Sequence, residues 1–189
     1  MRKIIIISSV ALLIILTLFI FLRKKESISP IEKMVIKNFD KEIVFPDSIY
    51  FMDNDKKLRL VVKGEILNKN KKKIFVLVSG GCRPCIQEIL SWSEIYPQIM
   101  RNNDVDIYFI IRSIDFKYFK KNFADDVPVG YKILFDKKDL FIRRNNLPYY
   151  HNLNTVLVND KNRIKLIGNP IGNEEMKRLL LKTVTLKDL

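Results

Sequence analysis

Ile74-Phe75-Val76-Leu77-Val78-Ser79-Gly80-Gly81-Cys82-Arg83-Pro84-Cys85 is the stretch whose reading decides the fold. Its first five residues are apolar and rich in β-branched and aromatic side chains, which suits a strand covered on both faces. Ser79-Gly80-Gly81 ends that run. From Cys85 onward, Ile86, Ile89, Leu90, Trp92 and Tyr96 recur at roughly helical spacing. Cys82 and Cys85, the two cysteines of the chain, therefore stand where a buried strand turns into a helix N-terminus. A helix start presents unpaired backbone N–H groups and a partial positive charge, and both favour a thiolate over a thiol. Lowering a cysteine pKa from about 8.5 to about 7 stabilises the anion by roughly 2 kcal/mol. Such a sulfur attacks disulfides readily. Arg83 adds a cation beside it, and Pro84 suits the first helical turn, where its missing N–H costs nothing. The competing assignment for the same pair is two inert buried thiols or half of a structural metal site.

The 189 residues divide on composition into an N-terminal anchor over 1–23, a polar linker over 24–35 and one domain over 36–189. Ile4 to Leu22 carries no charge and is interrupted only by Ser8, Ser9 and Thr17. As a helix it spans about 28 Å, close to a hydrocarbon core of about 30 Å. A cleaved signal peptide would end in a small-x-small site, and Leu18-Phe19-Ile20-Phe21-Leu22-Arg23 has no small residue. A single uncleaved transmembrane helix, with lipid contacts through residues 4–22, is the expectation. Arg2 and Lys3 precede it and Arg23, Lys24 and Lys25 follow, so positive charge on both flanks gives no clean orientation and by itself slightly favours keeping Arg23, Lys24 and Lys25 in the cytoplasm. The net charge of +13 comes from lysines and arginines scattered along the chain, around which no nucleic-acid module is visible, so nucleic acid is not expected as a partner.

The order of elements reads as α/β, with helices flanking a mixed sheet. Strands are expected at Glu42–Phe45, Ile49–Met52, Leu58–Val62, Val105–Ile111 and Tyr131–Phe135. The nearly unbroken apolar run Val105–Ile111 suits a central parallel strand. Asp115–Phe123 predicts an amphipathic helix with Phe116, Phe119 and Phe123 on one side, and Asp139–Arg144 a short one. Thr155–Val158 and Arg163–Ile167 flank Asn159-Asp160-Lys161-Asn162 as a hairpin. A last helix over Asn173–Lys182 places Met176, Leu179 and Leu180 inward.

With these residues in place the chain resembles the thioredoxin superfamily. It looks most like membrane-anchored thioredoxin-like thiol–disulfide oxidoreductases related to the alkyl-hydroperoxide-reductase/thiol-specific-antioxidant family. The resemblance covers about residues 36–189: an N-terminal β extension, the Gly81-Cys82-Arg83-Pro84-Cys85 unit, the inserted segment Tyr131–Leu140 and the closing hairpin from Thr155 to Ile164. It implies Cys82 as attacking thiol, Cys85 as resolving thiol, and a redox-active disulfide between them with no other cofactor. It further implies protein disulfides as substrates and an upstream electron donor. Such proteins hold their domain on the extracytoplasmic, periplasmic side of the cytoplasmic membrane, which favours that orientation here.

The chain also departs from the family. The family's cis-proline stands just before the strand that starts near Thr155, in the groove for an extended substrate. Leu153 and Asn154 occupy those positions here, and Pro148 lies well upstream. A cis bond at another residue costs about 2.5–4 kcal/mol, so trans is expected. Leu153, Asn154 and Thr155 are the candidate substrate groove. Val76 stands about where thioredoxin has a buried aspartate, so deprotonation of Cys85 needs water or another base. Peroxiredoxins place a proline and a Thr or Ser before their reactive cysteine; Ser79 is present, but Phe75 replaces the proline. His151, the single histidine, stands eight residues before Asn159. That spacing resembles the copper-delivery (Sco-type) members, and Cys82, Cys85 and His151 form an alternative Cu(I) set, although those members have CxxxC.

Overall fold

The computed structural model of the chain describes residues 28–186 apart from 69, 82, 102–103, 113–114 and 148–149. Residues 4–22, read as a membrane anchor, lie outside that range. Among the described residues no helix is long and apolar enough to cross a membrane. The chain divides into two units, 1–33 and 34–189.

Helix α1 spans Pro30–Asn38, within and beyond the stretch read as linker. Its local signal is a capping box. Ser29 N–H donates to Glu32 Oε2 at 2.7 Å, and Glu32 N–H donates to Ser29 Oγ at 3.1 Å. Pro30 takes the first helical position, where its fixed φ fits and its missing N–H is not needed.

The second unit is built on a seven-stranded mixed sheet. Its elements run β1 (Ser48–Met52), β2 (Leu58–Val62), α2 (Lys63–Ile66), β3 (Lys72–Ser79), α3 (Arg83–Ser91) and α4 (Tyr96–Met100). They continue with β4 (Val105–Arg112), α5 (Phe116–Asn122), β5 (Lys132–Asp136), α6 (Leu140–Asn145), β6 (Thr155–Val158), β7 (Ile164–Ile167) and α7 (Glu174–Thr185). The strand order is β2-β1-β5-β4-β3-β6-β7. β4 lies parallel to both β3 and β5, which is the central position its apolar run predicts. β1 and β2 form the N-terminal extension, an antiparallel pair added to the sheet through β1 and β5. β6 and β7 close the other edge.

Period-two alternation divides the core between the two faces. Ile74, Val76 and Val78 of β3 join Ile107, Phe109 and Ile111 of β4 in one cluster. That cluster also holds Ile86 and Ile89 of α3, Trp92, Ile99 of α4, and Leu180 and Val184 of α7. The alternate residues build an aromatic group instead. Phe75 lies 5.7 Å from Tyr108, 5.6 Å from Phe45 and 5.1 Å from Phe141, centroid to centroid. Most of these side chains are fully buried, so a strand slip by one residue would exchange the two sets and is strongly disfavoured.

Three expectations need correction. Glu42–Phe45 is not a strand; only an isolated bridge joins Glu42 to Arg163. The Asn145 side chain takes the place of a strand partner, since its Oδ1 accepts from Val44 N–H at 2.7 Å and its Nδ2 donates to Val44 C=O at 2.8 Å. The helix after Cys85 does not run on to Tyr96. It stops at Ser91, passes through a 3₁₀ turn at Trp92–Glu94, and restarts as α4 with Pro97 in its first turn. Proline supplies no N–H for a continuous ladder there. In α7, Leu179 points outward at 43% exposure, whereas Leu180, Thr183 and Val184 are buried. The inward row follows i, i+3, i+4 from Leu180, one position on from Leu179.

Candidate active site

Cys85 is the third residue of α3, partly buried and disulfide-bonded. Cys82, the other cysteine of the sequence, lies outside the described residues. A cavity of about 230 Å³ opens beside Cys85. Leu77 and Ser79 line it from the carboxyl end of β3, Arg112 from that of β4, and Pro84 and Glu88 from α3. Tyr150, His151 and Asn154, in the segment leading into β6, complete the wall. This is where open α/β sheets place their sites, outside the carboxyl ends of parallel strands.

Glu88 is the residue that sequence reasoning missed. It stands three positions after Cys85, on the same side of the helix, and is only 8% exposed. Its Oε1 accepts a hydrogen bond from Asn154 Nδ2 and one of 3.1 Å from Asn169 Nδ2. His151 Nε2 lies 3.5 Å from the same oxygen. Burial pushes the Glu88 carboxyl above its ordinary range, against the opposing pull of the Asn154 hydrogen bond, the His151 charge and the Asn169 hydrogen bond. A signal existed: Glu88 is a carboxylate between Ile86 and Ile89, on the side of the helix that faces the core. Val76 leaves β3 without an acid at that level, and the buried carboxylate of this cavity comes from α3 instead.

The raised value makes Glu88 a pH-dependent burden on folding. Its stabilising, protonated form is complete below the unfolded value near 4.5 and is lost as pH rises through the folded one. Glu88→Gln keeps an oxygen for the two asparagine donors but cannot ionise. The variant should be more stable than the parent at pH 8, with the gap closing as pH falls towards about 4. Urea unfolding at several pH values reads this, and a gap independent of pH would show that Glu88 does not titrate as placed.

Asn154 occupies the position before β6. Its backbone C=O accepts from Leu77 N–H at 2.7 Å, and its Nδ2 also donates to Leu77 C=O at 3.3 Å. Among the described residues no peptide bond is cis. Of the three candidate groove residues, Asn154 lines the cavity, whereas Leu153 and Thr155 are buried and absent from its wall. Gly81 and Arg83 are exposed beside it. Arg112 Nε lies 3.2 Å from Asp139 Oδ1, so the cavity's arginine is held by a carboxylate of the loop before α6. Ser79 and Phe75, the two positions weighed for a peroxidase motif, differ in setting: Ser79 lines the cavity, and Phe75 is buried in β3. His151 shares the cavity with Cys85, with its imidazole turned towards Glu88.

No protein-family model matches the chain, and no curated protein matches it. Solved structures do. One is AhpC of Enterococcus faecalis, with a TM-score of 0.58 and 20% identity, covering 77% of this chain and 92% of that one. Another, from Chlorobium tepidum and described as thiol:disulfide interchange protein DsbE, gives 0.55 at 13% identity over 77% and 99%. A thioredoxin-like protein of Porphyromonas gingivalis gives 0.54 at 20% identity over 77% and 94%. Together with the mixed sheet and the helix that carries Cys85 at the carboxyl end of β3, these likenesses identify the fold as thioredoxin-like.

Proposed function

We propose that the chain is a thiol–disulfide oxidoreductase acting on protein disulfides through Cys82 and Cys85. The observation that carries this is the disulfide-bonded Cys85 in the first turn of α3, sharing a cavity with the buried carboxyl of Glu88. Cys82 thiolate attacks one sulfur of the substrate disulfide, and the other leaves as a thiolate and is protonated by water. Glu88 then takes the proton of the Cys85 thiol. The Cys85 thiolate attacks Cys82, the mixed disulfide breaks, and the second substrate sulfur leaves with the electron pair. The substrate gains two electrons, the Cys82–Cys85 pair loses two, and an external dithiol donor restores them. Gly81, Arg83 and Pro84 shape the approach and favour the anion; Asn154 replaces the family's proline on the groove side. The fold shared with a protein described as a thiol:disulfide interchange protein supports this chemistry.

Copper handling is the second reading, favoured by the one cavity that holds both Cys85 and His151. Turnover of a disulfide-bonded protein such as insulin, lost in Cys82→Ser, is the expected result for the oxidoreductase. Tight one-to-one Cu(I) binding that depends on His151, with no disulfide turnover, would move the function to metal delivery.

We further propose that residues 4–22 anchor the domain on the extracytoplasmic side of the cytoplasmic membrane, from the uncharged run and the habit of the resembling proteins. Protease added to spheroplasts should digest the chain after Lys25. Full protection would place the domain in the cytoplasm.

A further inference from the structure

We propose that Ile36, Lys37, Phe39 and Lys41 form a face that docks on an anionic bilayer surface and turns the Cys85 cavity away from the membrane. The inference rests on reading residues 4–22 as the anchor and adds a second, peripheral contact made by the folded domain. Ile36 and Phe39 stand three positions apart at the end of α1 and are 62% and 56% exposed. Val44, also exposed, opens on a cavity of about 460 Å³ that Lys37 and Lys41 line as well. Large apolar side chains interleaved with lysines suit the headgroup layer, where the first reach the acyl boundary and the second meet phosphate.

The charges of this face favour an anion. Lys37 and Lys41 are exposed, and among the described residues neither has a carboxylate within 4.0 Å. Asp40, the acid between them, is held by Lys165 at 3.0 Å and Arg163 at 3.7 Å. Lys165 Nζ also lies 5.7 Å from the centre of the Phe39 ring. In the cavity wall Glu42 stands against Lys37, Lys41 and Arg144. A small soluble anion would use these charges but leave Ile36 and Phe39 in water, whereas a bilayer surface engages both. Ile36 stands fourteen positions after Leu22, a tether of at most about 50 Å even when fully extended. An anchor over 4–22 therefore keeps the face beside the lipid.

The sheet fixes which way the docked domain points. Asp40 N–H donates to Ile164 C=O at 2.8 Å, and Ile164 N–H donates to Lys41 C=O at 2.9 Å, so the face is tied to the start of β7. Ile164 pairs with Val158 and Val158 with Lys73, which places this tie level with the start of β3. The Cys85 cavity opens at the other end of β3, beside Ser79. The strand between Lys73 and Ser79 separates the two by about 20 Å. Docking thus presents the cavity to disulfides that arrive from the aqueous side.

The test places the full chain in lipid nanodiscs of phosphatidylcholine, alone or mixed with phosphatidylglycerol, with bromine high on the acyl chains to quench tryptophan. Phe39→Trp probes the face and Tyr150→Trp the cavity mouth, while the fully buried Trp92 gives the parent's baseline. In mixed discs Phe39→Trp should be quenched about twofold or more beyond Tyr150→Trp. Lys37→Glu with Lys41→Glu should return it to the Tyr150→Trp level, as should phosphatidylcholine alone. Quenching of Tyr150→Trp instead, or of neither, overturns the docking and leaves the anchor standing. Quenching of Phe39→Trp that survives the charge reversal, or that needs no phosphatidylglycerol, overturns the anionic surface as the occupant. A chain that stays outside the discs overturns the anchor and the docking together.

Discussion

The Cys85→Ser protein should accumulate mixed disulfides with its substrates, while the Cys82→Ser protein accumulates none and turns over no faster than background. Both follow from the division of labour proposed for the two sulfurs. Without the Cys85 thiolate nothing displaces the substrate from Cys82, so the intermediate persists until an outside thiol removes it. Without Cys82 the covalent step has no nucleophile, and a partly buried Cys85 in the wall of the cavity is poorly placed to replace it. Non-reducing gels of cells expressing each variant, followed by reduction and identification of the released partners, read the difference. Adducts on Cys82→Ser in place of Cys85→Ser would reverse the two roles. Adducts on neither, with normal folding, would remove the oxidoreductase assignment.

Lys73→Ala should be among the most destabilising single substitutions in the domain, at about 3 kcal/mol or more by urea unfolding. Lys73 lies in β3 and is fully buried. Its Nζ donates to Asn68 C=O, to Lys71 C=O at 2.6 Å and to Asn162 Oδ1 at 3.0 Å. One ammonium thus ties the turn before β3 to the turn between β6 and β7. Truncation removes the donor from one buried acceptor, Asn162 Oδ1, and from two part-buried carbonyls, and leaves the space of the aliphatic stem empty. Lys73→Met refills that space, so it should lose less, and the difference isolates the polar part. Burial pulls the Lys73 pKa from 10.5 down to about 8. The unfolded chain therefore binds the extra proton between those values, and the parent should gain stability over Lys73→Met as pH rises from about 8 towards 10.5. A loss below about 1 kcal/mol for Lys73→Ala would show that the three contacts are replaced by water.

Elements whose patterns rest on local periodicity were legible in the chain itself. The apolar runs at β3 and β4, the Phe116–Phe119–Phe123 side of α5 and the Asn159–Asn162 hairpin stand as their spacing predicts. The capping box at Ser29–Glu32 was legible too, yet the polar composition around it pointed to a linker, and the helix there buries only Asn38. Glu42–Phe45 looked like a strand because Ile43 and Phe45 alternate inward. The groups that satisfy Val44 belong to Asn145, a hundred residues away along the chain, and no local pattern can report them.

The site divides along the same line. The sequence alone determined that Cys85 stands in the first turn of a helix after a buried strand, because hydrophobic period and helix-start chemistry are properties of neighbouring residues. It also offered Leu153 and Asn154 as the positions where the resembling family carries its proline. Only the tertiary structure decided what surrounds Cys85. Glu88 becomes a base candidate because Asn154 from before β6 and Asn169 from after β7 converge on its carboxylate, with His151 standing at the cavity mouth. Those residues are 66, 81 and 63 positions from Glu88 along the chain. Their meeting depends on β6 lying antiparallel beside β3, so the desolvation that shifts the acid exists only once the sheet has closed.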